Sequence, residues 1–211
     1  DVDIIAVSPF PEEFRIMLND ELDMALETLD AWLPRLEEDF GPFPMDTGLD
    51  IAFFGMGEMP IGTSHPMEYY GAVSTDLQSL EHEVFHMYFG CSTIFKNYRD
   101  TWLDEAINVW YIDSSRGGVE PIGEDYDGGW VGAYSPIFNG FDERAYEEGA
   151  QIIERVARDL GGREEMVEFL HHLHREHSFE PMNTFDFLDH LEAYSGIDFE
   201  EQFIGWLYSG E

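Results

Sequence analysis

Residues 82–86 read His82-Glu83-Val84-Phe85-His86. On a helix, positions four apart share a face, so the two imidazoles point the same way. Two neutral imidazoles one turn apart suit a zinc ion. Glu83 falls about 100° round the helix from His82. That is beside such an ion rather than on it, where a base that takes a proton from water belongs. A catalytic zinc needs three protein ligands and one position left open, and the quintet supplies two. Glu105 lies nineteen positions after His86. It sits among Trp102, Leu103, Ala106, Val109 and Trp110, the apolar side of a second helical pattern. An acid on a buried helix face is costly unless it is paired or bound to metal. Ligation of one zinc ion by His82, His86 and Glu105 accounts for it.

Other elements must hold these residues in place. Val2–Val7 reads as a short strand, stopped by Ser8-Pro9-Phe10-Pro11. Pro11 opens a long amphipathic helix with Phe14, Met17, Leu18, Leu22, Ala25, Leu29 and Leu33 on its stripe, and Pro34 is placed to kink it. Phe40-Gly41-Pro42-Phe43-Pro44 ends that helix, and Leu49–Phe54 is a second strand. Residues 55–64 read as loop. His65–Val73 reads as one edge strand, since Pro66 is unsuited to a central one. Residues 76–89 form the metal helix, closed by Gly90, and Thr101–Asp113 form the helix of Glu105. Residues 114–141, rich in Gly, Ser, Pro and aromatics, form a long loop of the kind that walls a pocket. Within it Glu124-Asp125-Tyr126-Asp127-Gly128 hints at calcium. The EF-hand pattern fails there, with Gly123 at its first ligand position and Tyr134 at its closing Glu. Helices follow over 143–160, 163–177, 184–194 and 198–208, separated by Gly161-Gly162 and Ser195-Gly196. His171, His172, His174 and His177 read as a solvated helix face rather than a second metal site. Strands gather early and helices late, an α+β layout. The expectation is a single domain over 1–211, with a helix-plus-strand region over 1–75 and a helical lobe over 76–211.

Composition narrows the partners. Forty-five acids face ten bases, for a net charge of −35, and Lys96 is the only lysine. Such a surface is a poor match for nucleic acid or anionic membranes. The acids are spread along the whole chain, which fits a salt-adapted protein from a halophile better than a local patch for a cationic partner. Both the cytoplasm of a salt-accumulating cell and the cell exterior suit it. Cys91 is the single cysteine, so no internal disulfide can form. No stretch approaches membrane-span length, and no leader is visible. The chain starts at Asp1 rather than Met, so the expectation is a piece of a longer chain.

The ordered motifs resemble the aminopeptidase N family of zinc metallopeptidases, gluzincins with a thermolysin-like catalytic domain. Eighteen residues separate the quintet from Glu105, the family's spacing; thermolysin itself has one more. The family sets its Glu in Trp-Leu-Asn-Glu-Gly, and this chain has Trp102-Leu103-Asp104-Glu105-Ala106. Upstream, Met67-Glu68-Tyr69 is similar to the family's Gly-x-Met-Glu-Asn stretch, with His65 for the leading Gly and Tyr69 for Asn. Downstream, Tyr146-Glu147-Glu148-Gly149 is similar to Tyr-Glu-Lys-Gly, with Glu148 for Lys. Phe40–Pro44 before Leu49-Asp50-Ile51 resembles the opening of the catalytic domain. Asp186-Phe187-Leu188, Tyr194–Asp198 and Trp206-Leu207 resemble its closing helices.

The resemblance implies one zinc ion held by His82, His86 and Glu105, with Glu83 as general base. It implies Tyr146 as hydrogen-bond donor to the oxyanion, and Glu68 as the group that meets a substrate's free α-ammonium. The implied activity is removal of N-terminal residues from peptides. The family's N-terminal β-domain, which adds a second grip on that amine, has no counterpart here. An endopeptidase or narrow processing peptidase on the same scaffold is therefore the first alternative. A silent binding module is the second, but such a module needs neither Glu83 nor Tyr146.

Overall fold

A computed structural model describes residues 2–6, 15–53, 66–96, 100–123, 126 and 143–208. The chain divides into two compact units, Asp1–Ser92 and Thr93–Glu211. Ser8–Pro11, the 55–64 loop, most of 114–141 and most of the Glu124–Gly128 run lie outside the described residues.

The first unit is built on a mixed four-stranded sheet. Strand β1 (Val2–Ala6) leads through helix α1 (Arg15–Phe40) to β2 (Leu49–Phe53), which pairs parallel with it. Strands β3 (Met67–Tyr69) and β4 (Ala72–Thr75) follow, and the order across the sheet is β1-β2-β4-β3. Leu49, Ile51 and Phe53 of β2 are buried while Asp50 and Ala52 are exposed. That is the period-two signature of a strand with one covered face.

The single edge strand expected over 65–73 is instead a hairpin, with β3 antiparallel to β4 and Tyr69 paired with Ala72. Gly71 causes the break: its φ is +74° and a Cβ there would lie 2.5 Å from Thr47 Oγ1. No other residue type fits that turn without displacing Thr47. The edge position itself falls to β3, as the Pro66 argument requires.

The buried stripe of α1 runs Ala25, Leu29, Trp32, Leu36, Phe40, in steps of three and four. Leu22 and Leu33, expected on it, are only half-buried. Trp32 Nε1 donates to Glu81 O at 3.3 Å, which draws the indole rather than Leu33 into the contact. Pro34 lies on the exposed side, and the helix continues past it to Phe40.

The metal helix is shorter than the expected 76–89. Helix α2 spans Leu80–Phe85 only. Asp76 Oδ1 accepts from the amides of Gln78 and Ser79, at 3.0 and 2.9 Å, and holds that stretch in a turn. After Phe85 the pattern tightens: Met87 N donates to Val84 O at 3.1 Å and Tyr88 N to Phe85 O at 2.9 Å. These are three-residue steps of the 3₁₀ kind. Gly90, at φ +128°, ends the run.

The second unit is helical: α3 (Trp102–Ser115), α4 (Glu143–Leu160), α5 (Arg163–His177), α6 (Thr184–Ser195) and α7 (Glu200–Tyr208). Helix α3 is buried almost all round, with Trp102, Leu103, Ala106, Ile107, Trp110 and Tyr111 sealed from solvent. Its start is tied to α6 by a buried network. Asp100 Oδ1 accepts from Thr184 N and Oγ1, both at 2.9 Å, and Trp102 Nε1 donates to Thr184 Oγ1 at 3.1 Å. Asn183 and Asp186 cap α6 reciprocally, and Lys96 Nζ meets Asp186 Oδ2 at 2.6 Å.

Candidate metal centre

In the first unit, the turn that carries both histidines is clamped by aromatic packing. Phe40 meets Phe85 at 5.7 Å and Phe89 at 5.4 Å between ring centroids, both edge-on, and Phe85 stacks on Phe89 at 5.5 Å. Tyr88 donates to Gly41 O at 3.2 Å. These contacts tie the C-terminal end of the His82–His86 turn to the end of α1. His86 N bonds to His82 O at 3.3 Å, and Cys91 N bonds to His86 O at 2.8 Å. The second of these closes the turn in a six-to-one step.

The imidazoles converge. His86 Nε2 and His82 Nε2 are 3.1 Å apart, and the rings stand edge-on at 81°. His86 Nδ1 lies 3.1 Å from Phe89 O. A carbonyl can only accept, so Nδ1 carries the proton and Nε2 presents a lone pair. That is the arrangement by which a backbone carbonyl orients a metal-binding histidine.

In the second unit, Glu105 is half-buried in the first turn of α3. Tyr146 of α4 donates its hydroxyl to Glu105 Oε1 at 3.0 Å. The crossing of α3 and α4 makes this contact possible. Gly149 lies one turn after Tyr146, and a Cβ built on it would be 2.8 Å from Ala106 Cβ. Only a bare Cα lets the helices approach so closely. Trp110 Nε1, donating to Glu154 Oε2 at 2.9 Å, pins the same pair of helices about one turn further on.

Among the described residues, His82, His86 and Glu105 are the one group of three or more side chains able to hold a metal, with one ligand atom from each within 4.8 Å of the others. The donor set fits zinc: two imidazole nitrogens and a carboxylate. With Zn–N bonds of 2.0–2.1 Å, two ligands of a tetrahedral ion stand about 3.3 Å apart. The measured 3.1 Å between the two Nε2 atoms agrees with that edge. His171, His172, His174 and His177 make no such group; His174 is buried near Thr93 and Ser178 instead.

Glu83 follows His82 on α2 and is 5% exposed. A carboxylate so buried calls for hydrogen bonds or a cation beside it. Glu68 is half-buried at the middle of β3, opposite Val73 of β4, in the strand pair that α2 packs against. Two features went unread in the sequence. The Phe89 carbonyl that orients His86 belongs to the backbone and leaves no side-chain signal. Gly149 stood in plain view within Tyr146-Glu147-Glu148-Gly149, and its role depends on close contact with Ala106 of another helix, which spacing along the chain cannot convey.

The structure is similar to those of several solved enzymes. With aminopeptidase A of Legionella pneumophila the TM-score is 0.75 at 17% identity, covering 99% of this chain and 26% of that one. The fold is that of the M1 peptidase catalytic domain. The M1 zinc metallopeptidase of Deinococcus radiodurans gives a TM-score of 0.63 at 19% identity, over 97% of this chain and 47% of that one. Leukotriene A4 hydrolase of Saccharomyces cerevisiae gives 0.65 at 17% identity, over 90% and 36%. The chain thus spans between about a quarter and a half of the length of these proteins. No family model matches the sequence, and no curated protein matches it. Among the described residues, no helix is long and apolar enough to cross a membrane.

Proposed function

We propose that the M1-like fold of this chain serves a zinc-dependent peptidase that removes residues from the free N-terminus of peptides. The observation that carries the reading is the convergence of His82 Nε2 and His86 Nε2 at 3.1 Å, with Glu105 in the same group. A similar structure from Deinococcus radiodurans holds a Tyr-Ser-Ala substrate, which supports peptide as the substrate class.

His82, His86 and Glu105 would hold the ion. Zinc in such a site supplies a Lewis acid that polarises a carbonyl and acidifies water. Glu83 takes a proton from the attacking water at a carboxylate oxygen and returns it to the leaving amine. The Tyr146 hydroxyl turns from Glu105 Oε1 to donate to the oxygen on which negative charge develops. Glu68 accepts the α-ammonium and so sets how far the chain enters the site. The net charge of −35 reads as adaptation to molar salt.

Two measurements test this. Purified protein should carry about one zinc per chain, removable by chelator. Aminoacyl fluorophores should be cleaved and their N-acetylated counterparts should not. Metal-free protein at full activity would end the zinc reading. Cleavage of blocked and free substrates alike would move it to an endopeptidase.

A further inference from the structure

Helices α5 and α6 meet along a row of rings. Phe169 lies 5.5 Å from Phe187 and 5.4 Å from Tyr194, and His172 lies 5.7 Å from Tyr194, between centroids. The last rung is the shortest: His177 and His190 stand 3.9 Å apart, tilted by 41°. Neither residue is a candidate metal ligand.

This pair closes on a strained turn. Helix α5 ends at His177. Two residues later Phe179 has φ +64°, the one residue other than glycine with a positive φ among the described residues. That region is costly for a bulky side chain, and such a conformation persists only where its surroundings hold it. Glu180 N donates to His177 O at 3.0 Å, and the Glu180 carboxylate lies 3.4 Å from His177 Nδ1. Ser178 Oγ donates to His174 O at 2.5 Å. The turn leads to Met182, whose N donates to Ile94 O at 2.9 Å and whose O accepts from Lys96 N at 2.7 Å. Thr184 follows, bonded to Asp100 and Trp102 at the start of α3.

Charged groups face the pair from each of these elements. Helix α5 brings His172 and Glu176, α6 brings Asp186 and Asp189, and the turn brings Glu180. Arg175 already binds Glu176 at 2.9 Å, and Lys96 binds Asp186 at 2.6 Å. Burial first, and then His177, hold His190 below the usual imidazole range, with His172 helping and Asp186 and Asp189 opposing. Such an imidazole stays neutral in the fold where the unfolded chain already takes the proton. Its stabilising effect is full above about pH 6.5 and is lost as pH falls from there through the folded pKa.

We propose that His177 and His190 form a proton-operated latch on this turn. While at most one ring is charged, the rings stay in contact and the Phe179 turn stays closed. When both are charged, two cations at contact distance repel, the rings part and the strained turn relaxes. What loosens is the strap through Met182 and Thr184 that ties α6 to the start of α3, the helix that bears Glu105.

The test is an NMR study of the intact chain from about pH 8 to about 5, near 1 M NaCl. At that salt distant charges are screened, and a part-buried contact pair much less so. Histidine ring signals give the His190 midpoint. Hydrogen exchange gives the protection of the Met182 amide relative to that of Ile153 in α4. The His190 midpoint should lie below about 6.5, and the relative protection of Met182 should fall by roughly tenfold or more in acid. In His177→Gln the facing charge is gone. The His190 midpoint should then rise by at least about half a pH unit, and Met182 should keep its protection. His190→Gln should keep it too, which tests the latch even if His177→Gln folds poorly. A His190 midpoint unmoved by His177→Gln overturns the proposal. So does Met182 protection that is constant with pH in the parent, or that still falls in either variant.

Discussion

Gly149→Ala is the most direct probe of how the second unit sets its chemistry. The new Cβ would stand 2.8 Å from Ala106 Cβ. Carbon pairs settle at about 3.5–4.0 Å, so α3 and α4 must part by roughly 0.7–1.2 Å. Overpacking of this kind costs about 1–3 kcal/mol. Replacing Gly by Ala inside a helix returns about 0.8–1.0 kcal/mol. The net loss of stability is therefore small, between about zero and 2 kcal/mol. The loss of function should be larger. Tyr146 is one turn before Gly149, and its hydroxyl meets Glu105 Oε1 at 3.0 Å across that same crossing. Added separation carries this contact past about 3.5 Å, beyond hydrogen-bond range. Turnover should fall by roughly 100-fold, the scale seen on losing one oxyanion donor.

The assay pairs a thermal melt with kcat on an aminoacyl fluorophore. The control is Ala106→Gly combined with Gly149→Ala. With Ala106 Cβ gone, the nearest atoms to the new Cβ are Ala106 Cα and Trp102 Cε3, both at 3.5 Å, which is ordinary contact. The double variant should regain most of the activity, a coupling that only a shared steric contact produces. If it stays as impaired as Gly149→Ala alone, the helix crossing does not govern Tyr146 and the reasoning is wrong.

Other outcomes follow from the same geometry. His86→Ala should lose nearly all bound zinc by metal analysis, since two ligands remain of three. Glu83→Gln should retain the metal and lose nearly all turnover, because an amide cannot take the water's proton; parent-like rates would remove Glu83 from its role. Glu68→Ala should weaken hydrolysis of free-amine substrates by the roughly 1.5–3 kcal/mol of a charge-assisted contact, and equal losses on N-blocked peptides would make Glu68 structural. Lys96 holds the Asp186 carboxyl below its ordinary range by hydrogen bonding, with the Asn183 amide helping. A depressed carboxylate stabilises the fold above its unfolded pKa and loses that contribution as pH falls through the folded one. Lys96→Met should therefore lower stability at neutral pH by no more than about 1 kcal/mol for a part-exposed pair, and the gap should close in acid melts. Melting temperature should rise with NaCl from dilute buffer into the molar range, because a net charge of −35 repels itself over a Debye length of about 30 Å at 10 mM but only about 3 Å at 1 M; a flat series would leave the acidic composition without this explanation.

The helices of the second unit were legible because their stops are local. Gly161-Gly162 separates α4 from α5, and Ser195-Gly196 ends α6 with Gly196 at φ +72°. These residues act through their own backbone, whatever packs nearby. The first unit was less legible for the opposite reason. Gly71 turns the chain at a position where strand pattern alone continues, because Thr47, distant in sequence, fills the space a side chain would need. The metal helix stops at Phe85, although its periodic residues run on through Phe89, because Met87 N and Tyr88 N turn to three-residue steps onto Val84 O and Phe85 O ahead of Gly90.

The three candidate ligands were readable on two different grounds, and the difference bears on what holds them. His82 and His86 are four apart, so their convergence is a property of one turn of helix and needs no tertiary information. Glu105 was found by its odd placement on an apolar helix face and by the resemblance carried in its spacing and in Trp102-Leu103-Asp104-Glu105-Ala106, which mark the acid but not the residue that anchors it. The structure adds that partner: a Tyr146 hydroxyl on Oε1. A ligand carboxylate anchored by a second residue keeps its orientation when other contacts shift. In the proposed mechanism Tyr146 thus stands in two relations to the site, holding Glu105 before reaction and donating to the oxyanion during it. Tyr146→Phe should separate them. If the hydroxyl acts on the oxyanion alone, turnover falls and zinc affinity stays at the parent value. If it also orients Glu105, zinc dissociates more readily as well, by about tenfold or more. Unchanged turnover with weakened zinc would leave only the anchoring role, and the oxyanion donor would have to be sought elsewhere.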